Sequence, residues 1–266
     1  MSVWTRRATS GELRAAYDAR YAGSYRTELR GYERARAGAF ASVLRARVRP
    51  LRPGRVLDFG CGSGLFWPVV GSALPGAELC GADISRAALD RLREERGTPA
   101  ERALLVEGAA IPAADASFDA AVSVETLEHV EDLAASLREV RRVLRPGAPF
   151  VFTTPCANVG SLEHALTVLR GQVERSPTGE RRWSWEDPAH LRRLTSGELG
   201  RALTSAGFGG HVFRYRAHAM SYVCTPLVGG RWRGTAERLM GLEWRLLRWA
   251  PMGASVVATT YAGGAS

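Results

Sequence analysis

The hydrophobic pattern of this 266-residue chain changes period along its length, and each change marks an element. Short apolar runs bounded by glycine or proline predict buried strands. One ends at Asp58, and the others span 78–83, 103–106, 120–124, 149–154, 211–216 and 255–262. Between them the apolar spacing widens to that of helices at 65–74, 85–96, 131–144, 162–169 and 195–206. Residues 1–50 predict two more helices, broken near Gly23 and Gly31 and closed by Pro50 and Pro53. Tyr17, Tyr21 and Tyr25 fall on one face of the first, placed to pack the helix on the core or to cover a ligand pocket. Seven strand candidates alternating with helices predict a doubly wound α/β sheet. The expected division is an N-terminal helical cap at 1–50, a ligand-binding core at 51–155, a substrate-lid insertion at 156–194 and the C-terminal part of the sheet at 195–266. That last part carries a helical insertion at 217–250, whose Leu239, Leu242, Leu246 and Trp249 form one apolar stripe.

Composition changes this picture little. Hydrophobic content of 45% and charged content of 24% suit a globular domain. No apolar run reaches the roughly 18 residues of a membrane span, and no apolar core follows Arg6 and Arg7 as a secretory signal would require. Cys61, Cys80, Cys156 and Cys224 lack C-x-x-C spacing, so free thiols and a cytoplasmic location are expected. The net charge is +9, and every basic residue is arginine, a sign of codon bias in a GC-rich genome. A basic surface fits an acidic substrate, an anionic membrane or nucleic acid. With no zinc-finger spacing, RRM-like motif or long basic run, a small-molecule substrate is expected and nucleic acid is not. The arginines flanking the apolar stripe of 231–249 leave two readings, packing as part of a substrate cap or peripheral contact with a membrane.

The chemistry gathers at Gly60, Gly62 and Gly64, directly after the first strand. Such a turn lets a ligand approach the backbone and leaves N–H groups free. The dinucleotide fingerprint wants its third glycine one residue later, where Leu65 stands. Asp58 would repel a pyrophosphate but suits a ligand with a positive charge. Asp83, 25 residues on, ends the second strand and can accept from a ribose diol or cap the next helix. Glu107 and Glu125 follow the third and fourth strands, so four acids lie at successive strand ends, where ligands of open α/β sheets bind.

This glycine turn, the Ser117-Phe118-Asp119 stretch and the Leu127-Glu128-His129-Val130 segment before an amphipathic helix resemble class I S-adenosylmethionine-dependent methyltransferases. The resemblance covers about 35–155 well and 195–262 loosely. It implies a seven-stranded, mostly parallel Rossmann-like sheet with the last strand antiparallel. It also implies a cofactor, S-adenosyl-L-methionine, released as S-adenosyl-L-homocysteine. Asp58, Gly60, Cys61 and Gly62 would meet its amino-acid end, Asp83 and Ile84 the ribose, Glu107 and Gly108 the adenine, and Val124 and Glu125 the methionine end. Glu107 departs from the aspartate usual there.

His129 reads either as a base or as a helix-start residue bonded to nearby backbone; His190, in the long insertion beside Trp183 and Trp185, is the better candidate base and reads equally as a histidine that pins the loop to the following helix. The sequence spacing suggests no acid–histidine cluster for a metal, so metal independence is expected. The expected reaction is methyl transfer to an oxygen or nitrogen of a small molecule such as a secondary metabolite or a glycan- or lipid-linked sugar. Two alternatives stand beside it, a nicotinamide-dependent oxidoreductase and a cofactor-binding module without turnover. Oligomeric state is not legible.

Overall fold

A computed structural model describes residues 9–23, 26–176, 179–228 and 230–263. Tyr25 and part of the turn expected near Pro177 lie outside them. Helices α1 (Ser10–Ala22) and α2 (Gly31–Arg47) precede β1 (Arg55–Phe59), α3 (Trp67–Ala73), β2 (Glu78–Asp83), α4 (Arg86–Arg96) and β3 (Ala103–Leu105). Strand β4 (Ala120–Val124), α5 (Leu133–Val143) and β5 (Pro149–Pro155) complete the parallel half. The next segment holds α6 (Leu162–Leu169) and a small hairpin, β6 (Val173–Arg175) and β7 (Arg181–Trp183), which the sequence pattern did not announce. Then come α7 (Ser196–Ser205), β8 (Phe208–Arg216), α8 (Met220–Cys224), α9 (Arg233–Leu247) and β9 (Ser255–Ala262).

Seven strands form one sheet in the order β3-β2-β1-β4-β5-β9-β8, parallel from β3 to β5, with β9 antiparallel to both neighbours. Adjacent residues of β1 serve opposite layers. Leu57 packs with Phe118, Leu137, Phe150 and Phe152, whereas Val56 packs with Phe40, Leu44, Val122 and Val151. Burial on both faces is why these strands read as continuous apolar runs. The strand order reverses between β1 and β4, the switch point at which such sheets bind ligands.

Two local departures have physical reasons. The helix after the glycine turn begins at Trp67 rather than Leu65, because Gly64 holds φ at +75° and Pro68 suits the first helical turn. On α9 the leucines of the expected stripe, Leu239, Leu242 and Leu246, are exposed, and Trp249, just past the helix, is exposed too although Arg214 of β8 stacks on its ring. Ala236, Met240 and Trp244 make the contact with the domain instead, and the Glu243 carboxylate accepts from the Ala219 and Met220 N–H groups, each at 2.7 Å. Among the described residues no helix is long and apolar enough to cross a membrane.

Candidate active site

A cavity of about 1250 Å³ opens at the carboxyl ends of the parallel strands. Single-ligand pockets run to roughly 1,000 Å³, so this one has room for a nucleoside and a second molecule. Its floor is the glycine turn. Gly60 and Gly62 hold left-handed φ values of 75° and 53°, and both approach neighbours too closely for a side chain. A Cβ on Gly60 would lie 2.2 Å from Thr126, and one on Gly62 would lie 2.2 Å from the Tyr21 hydroxyl. Tyr21 thus sits over the turn, and α1 contributes Leu13 and Tyr17 to the same wall.

The acids at the strand ends differ in setting. Asp58 is buried and accepts from Trp67 Nε1 at 3.0 Å; burial pushes its carboxyl up to about 7 against that hydrogen bond. Asp83 accepts from Gly62 N at 2.8 Å and Ser85 N at 2.9 Å, and burial still raises it. It does not cap α4; the Ser85 hydroxyl does, accepting from Ala88 N. Glu125 holds a left-handed φ of 53°, costly for a side chain with a Cβ. Its carboxylate accepts from Thr153 Oγ1 at 2.9 Å and pairs with Arg36 at 2.8 Å. Cys61, Ile84, Gly108 and Val124 line the cavity too. Glu107 does not: its backbone closes a turn with Ala110 and its side chain is exposed, leaving Val106, Gly108 and Ala109 in the wall.

The histidines, 61 positions apart in sequence, meet. Their ring centroids are 4.6 Å apart at 71°. His129 Nδ1 donates to the Ala189 carbonyl at 2.9 Å, which leaves Nε2 as the acceptor nitrogen. Burial, reinforced by His190, lowers His129 to about 4. His190 Nδ1 lies 3.2 Å from Glu186 Oε1. Burial disfavours the His190 cation, but Glu186 and Glu128 outweigh it and raise its pKa above the ordinary 6.5. Burial pushes Glu186 up as well; its bonds to His190 and to Arg193 overcome that and hold it at about 2.

Arg192, which closes the His190-Leu191-Arg192 run, and Arg193, neither given a role by sequence reasoning, assemble this pair. Arg192 donates to the carbonyls of Leu127, Val130 and Glu131, clasping the loop that carries His129. Arg193 fixes Glu186 and Glu163. Their adjacency to His190 was the only available signal. Glu128 accepts from Thr154 Oγ1 at 3.0 Å, its other oxygen has no hydrogen-bond partner among the described residues and lies 3.9 Å from His129 Nε2, and burial with the Glu125 charge pushes it up to about 8. Glu128, His129 and His190 each offer one ligand atom within 4.8 Å of the others, a donor set able to hold a divalent cation. The expectation that no acid–histidine cluster would form is therefore overturned: folding brings His190 to a pair already adjacent in sequence.

A family model described as a methyltransferase domain matches residues 31–210. A ubiquinone biosynthesis O-methyltransferase of Alkalilimnicola ehrlichii is 35% identical over 133 residues, 48% of this chain and 53% of that protein. A demethylmenaquinone methyltransferase of a Roseiflexus species is 37% identical over 127 residues, 46% of this chain and 49% of that one. The chain thus spans about half the length of the curated relatives it matches. Among solved structures, the cyclase SpnF superposes over 99% of both chains with a TM-score of 0.62 at 19% identity. At that identity the likeness is one of fold, and a neighbour titled a cyclase marks how little the fold alone says about the reaction.

Proposed function

This chain belongs to the methyltransferase-domain family, and on that premise we propose that it transfers a methyl group from S-adenosylmethionine to a hydroxyl oxygen of a small molecule. When bound, that cofactor supplies a methyl already activated on a sulfonium and leaves as S-adenosylhomocysteine. The chain's residues fit it: a side-chain-free cradle at Gly60 and Gly62 faces a cavity walled by the buried Asp58 and the half-buried Asp83. Asp58 would take the cofactor's ammonium, Asp83 the ribose hydroxyls through its remaining lone pairs, and Val106 with the Gly108 backbone the adenine. The Arg36–Glu125 pair stands where the methionine end would lie.

One observation favours oxygen over nitrogen as acceptor. Glu186, itself gripped by Arg193, lies 3.2 Å from His190 Nδ1 as its ion-pair partner and raises its basicity, leaving Nε2 to take a proton from the acceptor hydroxyl. Holding acceptor and methyl in line would supply most of the acceleration. In the ion-free state Glu128, at about 8, carries a proton at neutral pH. A protonated Glu128 beside two histidines supports a proton-handling role for the Glu128–His129–His190 cluster. The exposed apolar stripe of α9, flanked by Arg238, Arg245 and Arg248, supports peripheral contact with an anionic lipid surface. The opposite face of α9, through Ala236 and Met240, packs on α8, whose Ser221 and Tyr222 line the cavity.

The test is an untargeted screen for acceptors with isotopically labelled S-adenosylmethionine. Labelled methyl ethers support the reading. Cofactor binding without any labelled product favours a module without turnover.

A further inference from the structure

The cavity wall at the tips of β8 and β9 carries a buried cation with no hydrogen bond or ion pair among the described residues, on which the Glu125, Glu243 and Glu163 charges act only at longer range. Arg216 ends β8 and Ser255 opens β9; the two are cross-strand partners, and Ser255 also pairs with Pro155 at the end of β5. Cross-strand partners project from the same face, and both residues line the cavity although each is only 6% exposed. Among the described residues the Ser255 hydroxyl has no hydrogen-bond partner, and the Arg216 guanidinium makes neither a hydrogen bond nor an ion pair. Arg36 Nε nearby is likewise unpartnered.

The surrounding carboxylates are already committed. Glu125 holds Arg36 and Thr153, Glu163 holds Arg193 and Trp183, and Glu243 holds two backbone N–H groups. Burial, with Arg36 beside it, lowers Arg216 to about 10 against the opposing charges of Glu125, Glu243 and Glu163, which leaves it cationic at neutral pH. The strand end is rigidly placed: a Cβ on Gly253 would fall 2.4 Å from the Arg216 carbonyl oxygen. A buried guanidinium with no carboxylate or acceptor in contact is costly. One kept beside an unused hydroxyl, on the wall of a cavity, is matched by an anion that arrives with a ligand.

Resting on the methyl-transfer reading above, we propose that Arg216 and Ser255 form the subsite for an anionic group, a carboxylate or phosphate, on the methyl acceptor. The acceptor rather than the cofactor is the source, because β8 is the edge strand, separated by β9 and β5 from β4 and the switch point.

The test uses the full chain saturated with S-adenosylhomocysteine at low ionic strength, with inorganic phosphate and benzoate as probes. Calorimetry and melting temperature are read for wild type, Arg216→Met and Ser255→Ala. Wild type is expected to bind at least one probe and to melt higher with it. Arg216→Met is expected to weaken that binding roughly a hundredfold, the order seen when one partner of a buried charge pair is removed. Ser255→Ala is expected to weaken it roughly fivefold. Without a probe, Arg216→Met should melt no lower than wild type, since it removes an uncompensated charge; an arginine serving only the fold would cost stability. Affinity for S-adenosylhomocysteine should be unchanged in both variants. If neither probe binds wild type, or both bind Arg216→Met equally well, the subsite is wrong and the cofactor reading stands. If Arg216→Met loses S-adenosylhomocysteine instead, the anion is the cofactor's own carboxylate. Failure of wild type to bind S-adenosylhomocysteine removes the methyl-transfer reading and the subsite with it.

Discussion

At the tips of β1 and β2, the named polar groups are tied into the chain: Asp83 to Gly62 and Ser85, Asp58 to Trp67. At the tips of β8 and β9, Arg216 and Ser255 have no such partner among the described residues, and beyond them α9 turns leucines outward. The first region is preorganised for one ligand whatever the acceptor. The second keeps unspent polar capacity and apolar surface, which only a particular acceptor or a lipid surface would use. A shared cofactor half and an individual acceptor half are what a fold hosting many reactions requires.

The sharpest break would come at the junction of the halves. His190→Ala is expected to lower kcat roughly a hundred- to ten-thousandfold with cofactor affinity intact, measured on an acceptor recovered from the labelled screen. The base must be neutral, so the rate should rise with pH through a value above 6.5. Glu186→Gln should move that profile to lower pH, an effect that loss of packing alone would not give.

Asp83→Ala tests the first half. Its affinity for S-adenosylhomocysteine should fall roughly a hundredfold by calorimetry, as two backbone donors and the ribose lose one charged acceptor. Equal binding would remove the ribose role. Asp58 gives a smaller, pH-dependent effect. Burial holds it protonated below about 7, and a cationic amino group prefers the carboxylate. Cofactor affinity should therefore weaken as pH falls below about 7, by at most about tenfold per pH unit for one linked proton. Asp58→Asn should flatten that slope.

For the second half, Leu242→Gln with Leu246→Gln is expected to reduce sedimentation with phosphatidylserine–phosphatidylcholine vesicles roughly fivefold, and salt should weaken the wild-type interaction. An unaffected variant would return the stripe to an ordinary exposed surface. The smallest expected effect is none: activity should survive chelation by EDTA. Loss on chelation with recovery on adding Mg²⁺ would assign Glu128, His129 and His190 to an ion.

Legibility followed the same division. The glycine turn and the acids at the strand ends were readable because they are local: strand, turn and acid lie within a few residues, and a parallel sheet brings all its carboxyl ends to one edge. Glu107 shows the limit of that logic, because a one-turn detour at Gly108 sends its side chain outside. On α9 two apolar stripes share one helix, and periodicity alone could not say which would be buried. The long segment after β5 gave a candidate base but no hint of the hairpin, or that Arg192 would tie it to the loop after β4.

The order of apolar runs, the turn residues and the helix stops determined a doubly wound sheet and the place of its ligand edge, because these depend on backbone preference and burial within short windows. Only the tertiary structure decided that His129 and His190 touch, that Arg193 grips Glu186, and that Arg216 and Ser255 face one cavity. Those are contacts between residues distant in sequence, set by strand register and loop closure, and no local pattern encodes them.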